Sequence, residues 1–143
     1  KLKMKIRVKI VEGGRMPQRM TSGAAGFDCY ARSVFFDGKS HLYNLGFSIE
    51  IPEGYVGLLF PRSSVYRTGL LLPNCVGVID SDFRGELTAR FYHDKNRDFR
   101  PYVVGDRVVQ LVIIKLPEFE LVESESLSDT SRGEGGYGST GNR

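Results

Sequence analysis

Short stretches in which apolar and polar residues alternate recur along most of this 143-residue chain. In residues 2–11, five apolar side chains take one face and four basic side chains take the other. A period of two is the pattern of a half-buried β-strand, because successive side chains point to opposite faces. Further strand-like stretches lie at residues 24–31, 45–51, 55–60, 86–92 and 107–116. Since the connections are short and no long amphipathic helix is predicted, we expect an all-β sandwich or barrel.

The balance of charge limits the partners that the chain can have. Its 20 basic and 17 acidic residues leave a net charge of only +3. Stable nucleic-acid binding is therefore not expected, because it requires a strongly basic surface. The basic face of residues 2–11 is interpreted as a solvated sheet edge, where lysines prevent unwanted strand pairing.

Cysteine usage and hydropathy indicate the compartment. Cys29 and Cys75 lie in apolar stretches, so both are predicted to be buried free thiols, which suits a reducing environment. No apolar run approaches the length of a bilayer span, and the N-terminus lacks the apolar core of a secretory signal. We therefore expect a soluble intracellular protein without a membrane partner.

The stretch Gly77–Leu87 combines an apolar run, an acidic turn and a second alternating run. This order predicts a β-hairpin with Asp80 and Asp82 at its turn and the aromatic Phe83 beside them. A carboxylate at a rigid turn can serve as a general base, since a base must be held within reach of its proton. Alternatively, the two acids hydrogen-bond their own backbone in an ordinary polar turn.

Two polar residues interrupt otherwise apolar strand patterns. Asp28 needs a partner, a metal-bound water or a hydrogen-bond network, because an isolated buried charge is costly. Gln110 is interpreted either as a structural bridge or as a ligand contact, since a buried amide must be hydrogen-bonded. Residues 63–68 are predicted to form one short helix, which Ser63 can cap and Gly69 can end.

The composition changes at residue 124. We predict a β domain over residues 1–123 and a flexible arm over residues 124–143, which is rich in Gly, Ser and Thr. The arm also carries Arg132 and Tyr137 among its glycines, where the backbone can wrap a ligand and present N–H groups to phosphate. A plain flexible linker is the alternative.

Five segments together resemble the trimeric dUTP pyrophosphatase (dUTPase) family in order and spacing. They are AAGFD at 24–28, PRSS at 61–64, GVIDSDFRG at 77–85, GDRVVQL at 105–111 and RGEGGYGSTG at 132–141. The chain departs from the usual pattern at three positions. Ser64 stands where the family usually has Gly, Phe83 where it has Tyr, and Tyr137 where it has Phe.

The resemblance implies a jelly-roll fold assembled as a homotrimer with three active sites shared between chains. The first, second and fourth motifs would come from one chain, the third from another and the fifth from the remaining arm. The implied reaction is hydrolysis of dUTP to dUMP and pyrophosphate with Mg²⁺, which limits uracil in DNA and supplies dUMP for thymidylate synthesis.

The resemblance also implies a role for each matching residue. Asp80 would be the general base that orients water toward the α-phosphorus, and Asp28 would hold water bound to Mg²⁺. The residues implied in triphosphate binding are Arg62, Ser63, Ser64, Gln110 and, from the arm, Arg132, Gly138, Ser139 and Thr140.

Recognition of the nucleoside is implied for the remaining positions. Asn74 and the backbone of Gly77, Val78 and Ile79 would read uracil, while Tyr137 stacks on it. Phe83 would pack under the deoxyribose and leave no room for a 2′-hydroxyl. Arg84 is interpreted as a brace of the hairpin or of a contact between subunits, and not as a catalytic residue.

Two other functions remain open at this point. A dCTP deaminase shares the fold and has a similar Arg-Ser-Ser run, with Glu86 as its nearest candidate acid. A non-catalytic binding or regulatory protein could also use this scaffold.

Overall fold

The computed structural model describes residues 2–141, and its regular secondary structure is almost entirely antiparallel β-strand. A 3₁₀ helix, Ser63–Arg67, follows the sixth strand. The strands are β1 Arg7–Ile10, β2 Phe27–Tyr30, β3 Ser33–Phe36, β4 Ser40–Asn44, β5 Phe47–Glu50, β6 Tyr55–Pro61, β7 Leu70–Leu71, β8 Gly77–Ile79, β9 Thr88–His93 and β10 Arg107–Lys115.

The strands form two four-stranded sheets and one two-stranded sheet. The first large sheet has the order β2-β10-β6-β8, the second has the order β3-β4-β9-β7, and β1 pairs with β5. Non-consecutive strands are neighbours in both large sheets, so the chain crosses between layers repeatedly. This arrangement is the predicted jelly roll, and the all-β fold class is confirmed.

One hydrophobic core lies between the layers, as the alternating pattern requires. On β9, Ala89 and Phe91 are buried while Arg90 is exposed. The Phe91 ring meets the ring of Tyr43 edge-on, with 5.8 Å between centroids. The first large sheet contributes other buried side chains to the same core, namely Cys29, Leu59, Val109 and Leu111.

Several strands are shorter than the alternating pattern predicts. The first predicted strand spans residues 2–11, but β1 is limited to Arg7–Ile10, because β5 offers partner positions only there. The predicted helix at residues 63–68 forms as a 3₁₀ helix and makes no side-chain cap hydrogen bond. It ends before Gly69, whose φ of +71° suits a helix terminus.

The predicted hairpin around Asp80 is wrong. β8 pairs with β6, whereas β9 pairs with β4 and β7, so the two flanking strands lie in different sheets. Residues 80–87 therefore form a connection between layers. The alternating pattern at residues 86–92 correctly predicts a strand, which spans Thr88–His93, but it cannot say which strand is the partner.

The two cysteines differ in their surroundings. Cys29 is fully buried, and burial raises the pKa of its thiol to about 12, so this thiol stays protonated. The prediction that Cys75 is buried is wrong, because it lies exposed in a turn with a φ of 61°. Within residues 2–141, no helix has the length and apolar composition needed to cross a bilayer.

Candidate active site

Strand register brings three of the predicted segments together. Gln110 on β10 lies opposite Asp28 on β2 and opposite Phe60 on β6. Asp28, Gln110 and the end of β6 at Pro61 therefore form a row across three adjacent strands. Because the three strands are fixed by their ladders, these side chains keep their relative positions without a ligand.

The carboxylate of Asp28 is paired with two guanidinium groups. Its Oδ2 lies 3.0 Å from Arg107 Nη1 and 3.5 Å from Arg62 Nε. The side chain is only 14% exposed, and the two arginines satisfy the need for a partner that the sequence indicated. We call Asp28, Arg62, Arg107 and Gln110 the Asp28 cluster. Its net charge of +1 suits an anionic ligand.

Gln110 acts at least as a structural bridge, the first of the two predicted alternatives. Its Nε2 donates a hydrogen bond of 3.1 Å to the carbonyl of Pro61. Its Oε1 lies above Gly26, where an added Cβ would approach to 2.7 Å. Gly26 is therefore needed for the position of this amide.

The end of β8 presents a different carboxylate. Asp80 is exposed, and its side chain forms no hydrogen bond or ion pair with any residue in the described range 2–141. It borders a cleft of about 690 Å³ on one side and a cavity of about 180 Å³ on the other. The smaller cavity is also lined by Val78, Ile79 and Phe83.

A second cavity adjoins the cavity of about 180 Å³, and Thr88 lines both cavities. It has a volume of about 310 Å³ and is bordered by Asn74 and Gly77. The structure therefore places the residues predicted to read uracil and deoxyribose beside two neighbouring cavities along β8. An apolar pocket with a few polar groups is the usual form of a small-molecule site.

The connection at residues 80–87 is braced by ion pairs and hydrogen bonds. Arg84 Nη1 donates to the carbonyl of Ser81 at 2.6 Å and to that of Phe83 at 3.1 Å, so it braces this turn although the predicted hairpin does not form. Glu86 accepts two hydrogen bonds, of 2.8 and 2.9 Å, from the guanidinium of Arg32. Arg84 thus holds the turn itself, and Glu86 ties the later part of the segment to Arg32.

The Phe83 ring lies directly over Gly85. A Cβ added to Gly85 would approach the ring to 2.6 Å, so only glycine permits this ring position. The apolar plane predicted beside Asp80 is therefore set by the glycine two residues later.

Asp28 and Asp80 are far apart within one chain. The β6–β8 register places Asp80 next to Val56, near the start of β6, whereas the Asp28 cluster lies at its end. Four residues along the strand and three strand spacings across the sheet separate them by roughly 20 Å. The two carboxylates therefore lie in separate regions of one chain.

The arm residues lie apart from both groups. The described hydrogen bonds of residues 132–141 all stay within the tail, as in the bond of 2.8 Å from Arg132 Nε to the carbonyl of Gly135. Tyr137 is fully exposed. The structure does not bring Arg132, Tyr137, Gly138, Ser139 or Thr140 to the other predicted site residues.

Two residues of the site were missed in the sequence. Arg107 lies inside the fourth motif, and its signal was a basic residue at the start of a strand that pairs with the strand of Asp28. Arg32 carries no motif, so its pairing with Glu86 is visible only in three dimensions.

The possible metal ligands are few. In the part of the chain that the structure describes, no group of three or more His, Cys, Asp or Glu side chains could hold an ion by itself. Asp28 Oδ2 faces the two arginines, which leaves Oδ1 to accept a hydrogen bond from a metal-bound water. One carboxylate together with substrate phosphates is a usual environment for Mg²⁺.

Comparison with known proteins gives a consistent result. The dUTPase family model matches residues 12–141. A deoxyuridine 5′-triphosphate nucleotidohydrolase of Beijerinckia indica is 41% identical over 142 residues, covering 94% of this chain and 88% of the relative. The dUTPase of Staphylococcus bacteriophage 80alpha with dUpNHpp superimposes with a TM-score of 0.81 at 28% identity, covering 96% of this chain and 98% of the phage protein.

A second solved structure describes a metal. A mutant dUTPase from phage phi11 of S. aureus, reported with a structural Mg(II) ion, has a TM-score of 0.71 at 26% identity. The match covers 86% of this chain and 98% of the phage chain.

Proposed function

The chain belongs to the dUTPase family, and from that premise we propose that Asp80 is the general base with which it hydrolyses dUTP to dUMP and pyrophosphate. The observation that carries the assignment is the position of this carboxylate. Asp80 is exposed, unpaired within residues 2–141 and bordered by the cavity that Phe83 lines. A base must be free to accept a proton, and the braced connection holds it in place.

The reaction proceeds by attack of water on the α-phosphorus. Asp80 accepts a proton from that water as its oxygen bonds to phosphorus, and the bond from the α-phosphorus to the bridging oxygen breaks. Pyrophosphate leaves with the bonding electrons. Arg62, Ser63 and Gln110 contact the triphosphate, and the positive charge of the arginines stabilises the charge that develops on the leaving group.

Magnesium would be held by the triphosphate oxygens, with Asp28 accepting a hydrogen bond from a metal-bound water through Oδ1. The ion would withdraw charge from the phosphates, as Mg²⁺ generally does in phosphoryl transfer. The two arginines on Oδ2 keep the Asp28 side chain in place for this contact.

We propose that the active form is a homotrimer with shared sites. The separation of roughly 20 Å between Asp28 and Asp80 supports this, because it exceeds the reach of one nucleotide's triphosphate. A site needs the Asp28 cluster of one chain beside Asp80 of another. The arm of the remaining chain, with Arg132, Gly138, Ser139 and Thr140, closes over the phosphates while Tyr137 stacks on uracil.

The cavities along β8 select the base and the sugar of the substrate. Asn74 and the backbone of Gly77–Ile79 read the edge of uracil, and Phe83 packs under the deoxyribose. In this role the enzyme limits uracil in DNA and supplies dUMP. We also propose an intracellular location, where the buried Cys29 and exposed Cys75 remain free thiols.

The deaminase alternative is disfavoured by the position of Glu86. Both of its oxygens accept hydrogen bonds from Arg32, so this carboxylate is held in an ion pair that braces the connection. The binding-protein alternative lacks support, since the relatives at about 40% identity are named nucleotidohydrolases.

The test is a pyrophosphate-release assay across dUTP, dTTP, dCTP and UTP, with ammonia release measured in parallel. We expect pyrophosphate from dUTP only. Ammonia from dCTP would establish the deaminase, and no product from any nucleotide would establish the binding protein. Light scattering of the same sample should give the mass of three chains.

A further inference from the structure

An arginine beside the Asp28 cluster stacks on a tyrosine ring. Arg15 lies in the loop between β1 and β2, and its guanidinium carbon stands 3.9 Å from the centre of the Tyr30 ring. Its side chain forms no hydrogen bond or ion pair with any residue in the described range 2–141. Because stacking uses only the flat face of a guanidinium, this contact leaves its five N–H donors free at the rim.

The backbone on both sides of Arg15 is fixed. Gly14 packs against Gly46 so closely that a Cβ added to Gly14 would overlap the Gly46 carbonyl oxygen. Three residues after Arg15, the backbone N–H of Gln18 donates to the carbonyl of Asp28 at 3.0 Å, and the N–H of Asp28 donates back at 2.8 Å. Arg15 therefore lies between two anchored points, and the fold places it without a ligand.

Strand geometry puts the stacked pair on the face of the sheet that carries Asp28. Tyr30 is two residues from Asp28 on β2, so both side chains point to the same face, with their Cα atoms roughly 7 Å apart. The Tyr30 hydroxyl donates a hydrogen bond of 2.7 Å to Gln18 Oε1, which holds the ring across this face. The ring is buried, and the exposed Arg15 covers it from the solvent side. Tyr30 also lies opposite Arg107, which holds Asp28.

This face carries more positive charge than Asp28 balances. Arg62 and Arg107 both approach the Asp28 carboxylate, and the Asp28 cluster still has a net positive charge. Arg15 adds one more positive charge beside it. A terminal phosphate supplies negative charge, and its non-bridging oxygens match the paired N–H groups of a guanidinium.

We propose that Arg15 is a further substrate-binding residue, which donates hydrogen bonds to the terminal phosphate of the nucleoside triphosphate. This inference rests on the proposed function, in which the Asp28 cluster binds the triphosphate. The Tyr30 ring holds the guanidinium in one orientation, so little side-chain freedom is lost when the phosphate binds. The terminal phosphate is not part of the bond that breaks at the α-phosphorus. Arg15 therefore contributes to binding and not to the chemical step.

The test is Arg15→Gln, which removes the charge and keeps a planar polar end. The probes are dUpNHpp, inorganic tripolyphosphate and dUMP, each titrated by calorimetry. The variant should bind dUpNHpp and tripolyphosphate about five- to tenfold more weakly, the effect of losing one hydrogen-bonded contact. Affinity for dUMP, which lacks the β- and γ-phosphates, should change by less than about twofold. KM for dUTP should rise by the same factor as the dUpNHpp dissociation constant, while kcat stays within about twofold. Unchanged tripolyphosphate binding, or an equal loss for dUMP, would overturn the proposal.

Arg19 provides a matched control in the same loop. Its guanidinium carbon stands 4.8 Å from the centre of the Phe27 ring. Phe27 is one residue from Asp28 on β2, so it points to the opposite face of the sheet. Arg19→Gln should leave the affinity for all three probes within about twofold, with a change in melting temperature similar to that of Arg15→Gln. An equal loss of tripolyphosphate binding in both variants would show that overall charge is responsible and would overturn the assignment.

Arg15→Lys separates the guanidinium from its charge. Lysine keeps the charge but has neither the planar face nor the paired donors, so it should recover only part of the lost affinity. Full recovery would reject the paired contact with phosphate.

The outcome is distinguishable from failure of the proposed function. If the unmodified protein releases no pyrophosphate from dUTP, the enzyme assignment fails, yet tripolyphosphate binding still tests Arg15 by itself. If the unmodified protein is active and Arg15→Gln binds tripolyphosphate normally, only the role of Arg15 is rejected.

Discussion

The two ends of β6 carry opposite kinds of chemistry. At the Pro61 end, Asp28 is largely buried, paired with Arg62 and Arg107, and fixed by the register of three strands. At the Tyr55 end, Asp80 is exposed, has no partner within residues 2–141, and sits on a connection between sheets. The carboxylate at the first end has both of its partners in the same chain. The carboxylate at the second end has no partner within residues 2–141.

This difference follows from what each carboxylate must do. The Oδ2 lone pairs of Asp28 are committed to guanidinium groups, so that oxygen is a poor acceptor for a proton from water. Such pairing suits a residue that positions a charged ligand. An unpaired carboxylate can accept a proton, but it needs support from elsewhere, and Arg84 and the Arg32–Glu86 pair supply that support. Binding groups are thus preassembled, and the reacting group is kept free.

Asp80→Asn is the sharpest test of this division. Turnover should fall about 10³-fold, the contribution of a general base, while the dissociation constant for dUpNHpp stays nearly unchanged. Urea unfolding should be unchanged, because Asp80 has no partner to lose within residues 2–141. Asp82→Asn, the neighbouring exposed acid, is the matched control and should retain activity. Substantial turnover by Asp80→Asn would mean that the base lies elsewhere.

Removal of part of the arm tests whether residues 132–141 help to form the active site around Asp80. A chain ending at Ser131 should lose about 10²-fold in kcat/KM, because closure of a lid positions substrate and excludes water. Light scattering should still give three chains, since the described hydrogen bonds of residues 132–141 are local. A chain ending at Gly141 is the control. Full activity without the arm would reject its role as a lid.

Asp28→Asn should produce the opposite pattern of effects from Asp80→Asn. It leaves Arg62 and Arg107 as neighbouring cations without their anion, so the free energy of unfolding should fall by about 2 kcal/mol. The magnesium concentration for half-maximal activity should also rise several-fold. Urea denaturation and a magnesium titration measure these effects. If Asp80→Asn destabilised the protein as much as Asp28→Asn, the contrast between the two ends would be lost.

The contrast between the two ends of β6 also shows which structural features the sequence could predict. Alternation identifies β6 and β10 within a residue or two, because burial of one face imposes a period of two. The same signal predicted a hairpin around Asp80, since the period says nothing about which strand is the partner. The pairing of Asp28 with Arg107 depends on register across the sheet, which local pattern does not encode.

Phe83→Tyr should have the smallest effect, because it adds only one hydroxyl group to the ring beside Asp80. The Cζ end of the ring is the part nearest Gly85, which has no side chain, so we expect the ring plane to keep its position when a hydroxyl is added at Cζ. We expect kcat/KM for dUTP to change only slightly, with the preference for dUTP over UTP unaltered, because the plane and not the hydroxyl excludes the 2′-hydroxyl. Phe83→Ala, as the contrasting variant, should lose that preference by about tenfold or more, the effect of removing a packed ring from the site. If Phe83→Tyr instead altered sugar selection, the hydroxyl would be the selective group, and the ring position set by Gly85 would not explain discrimination.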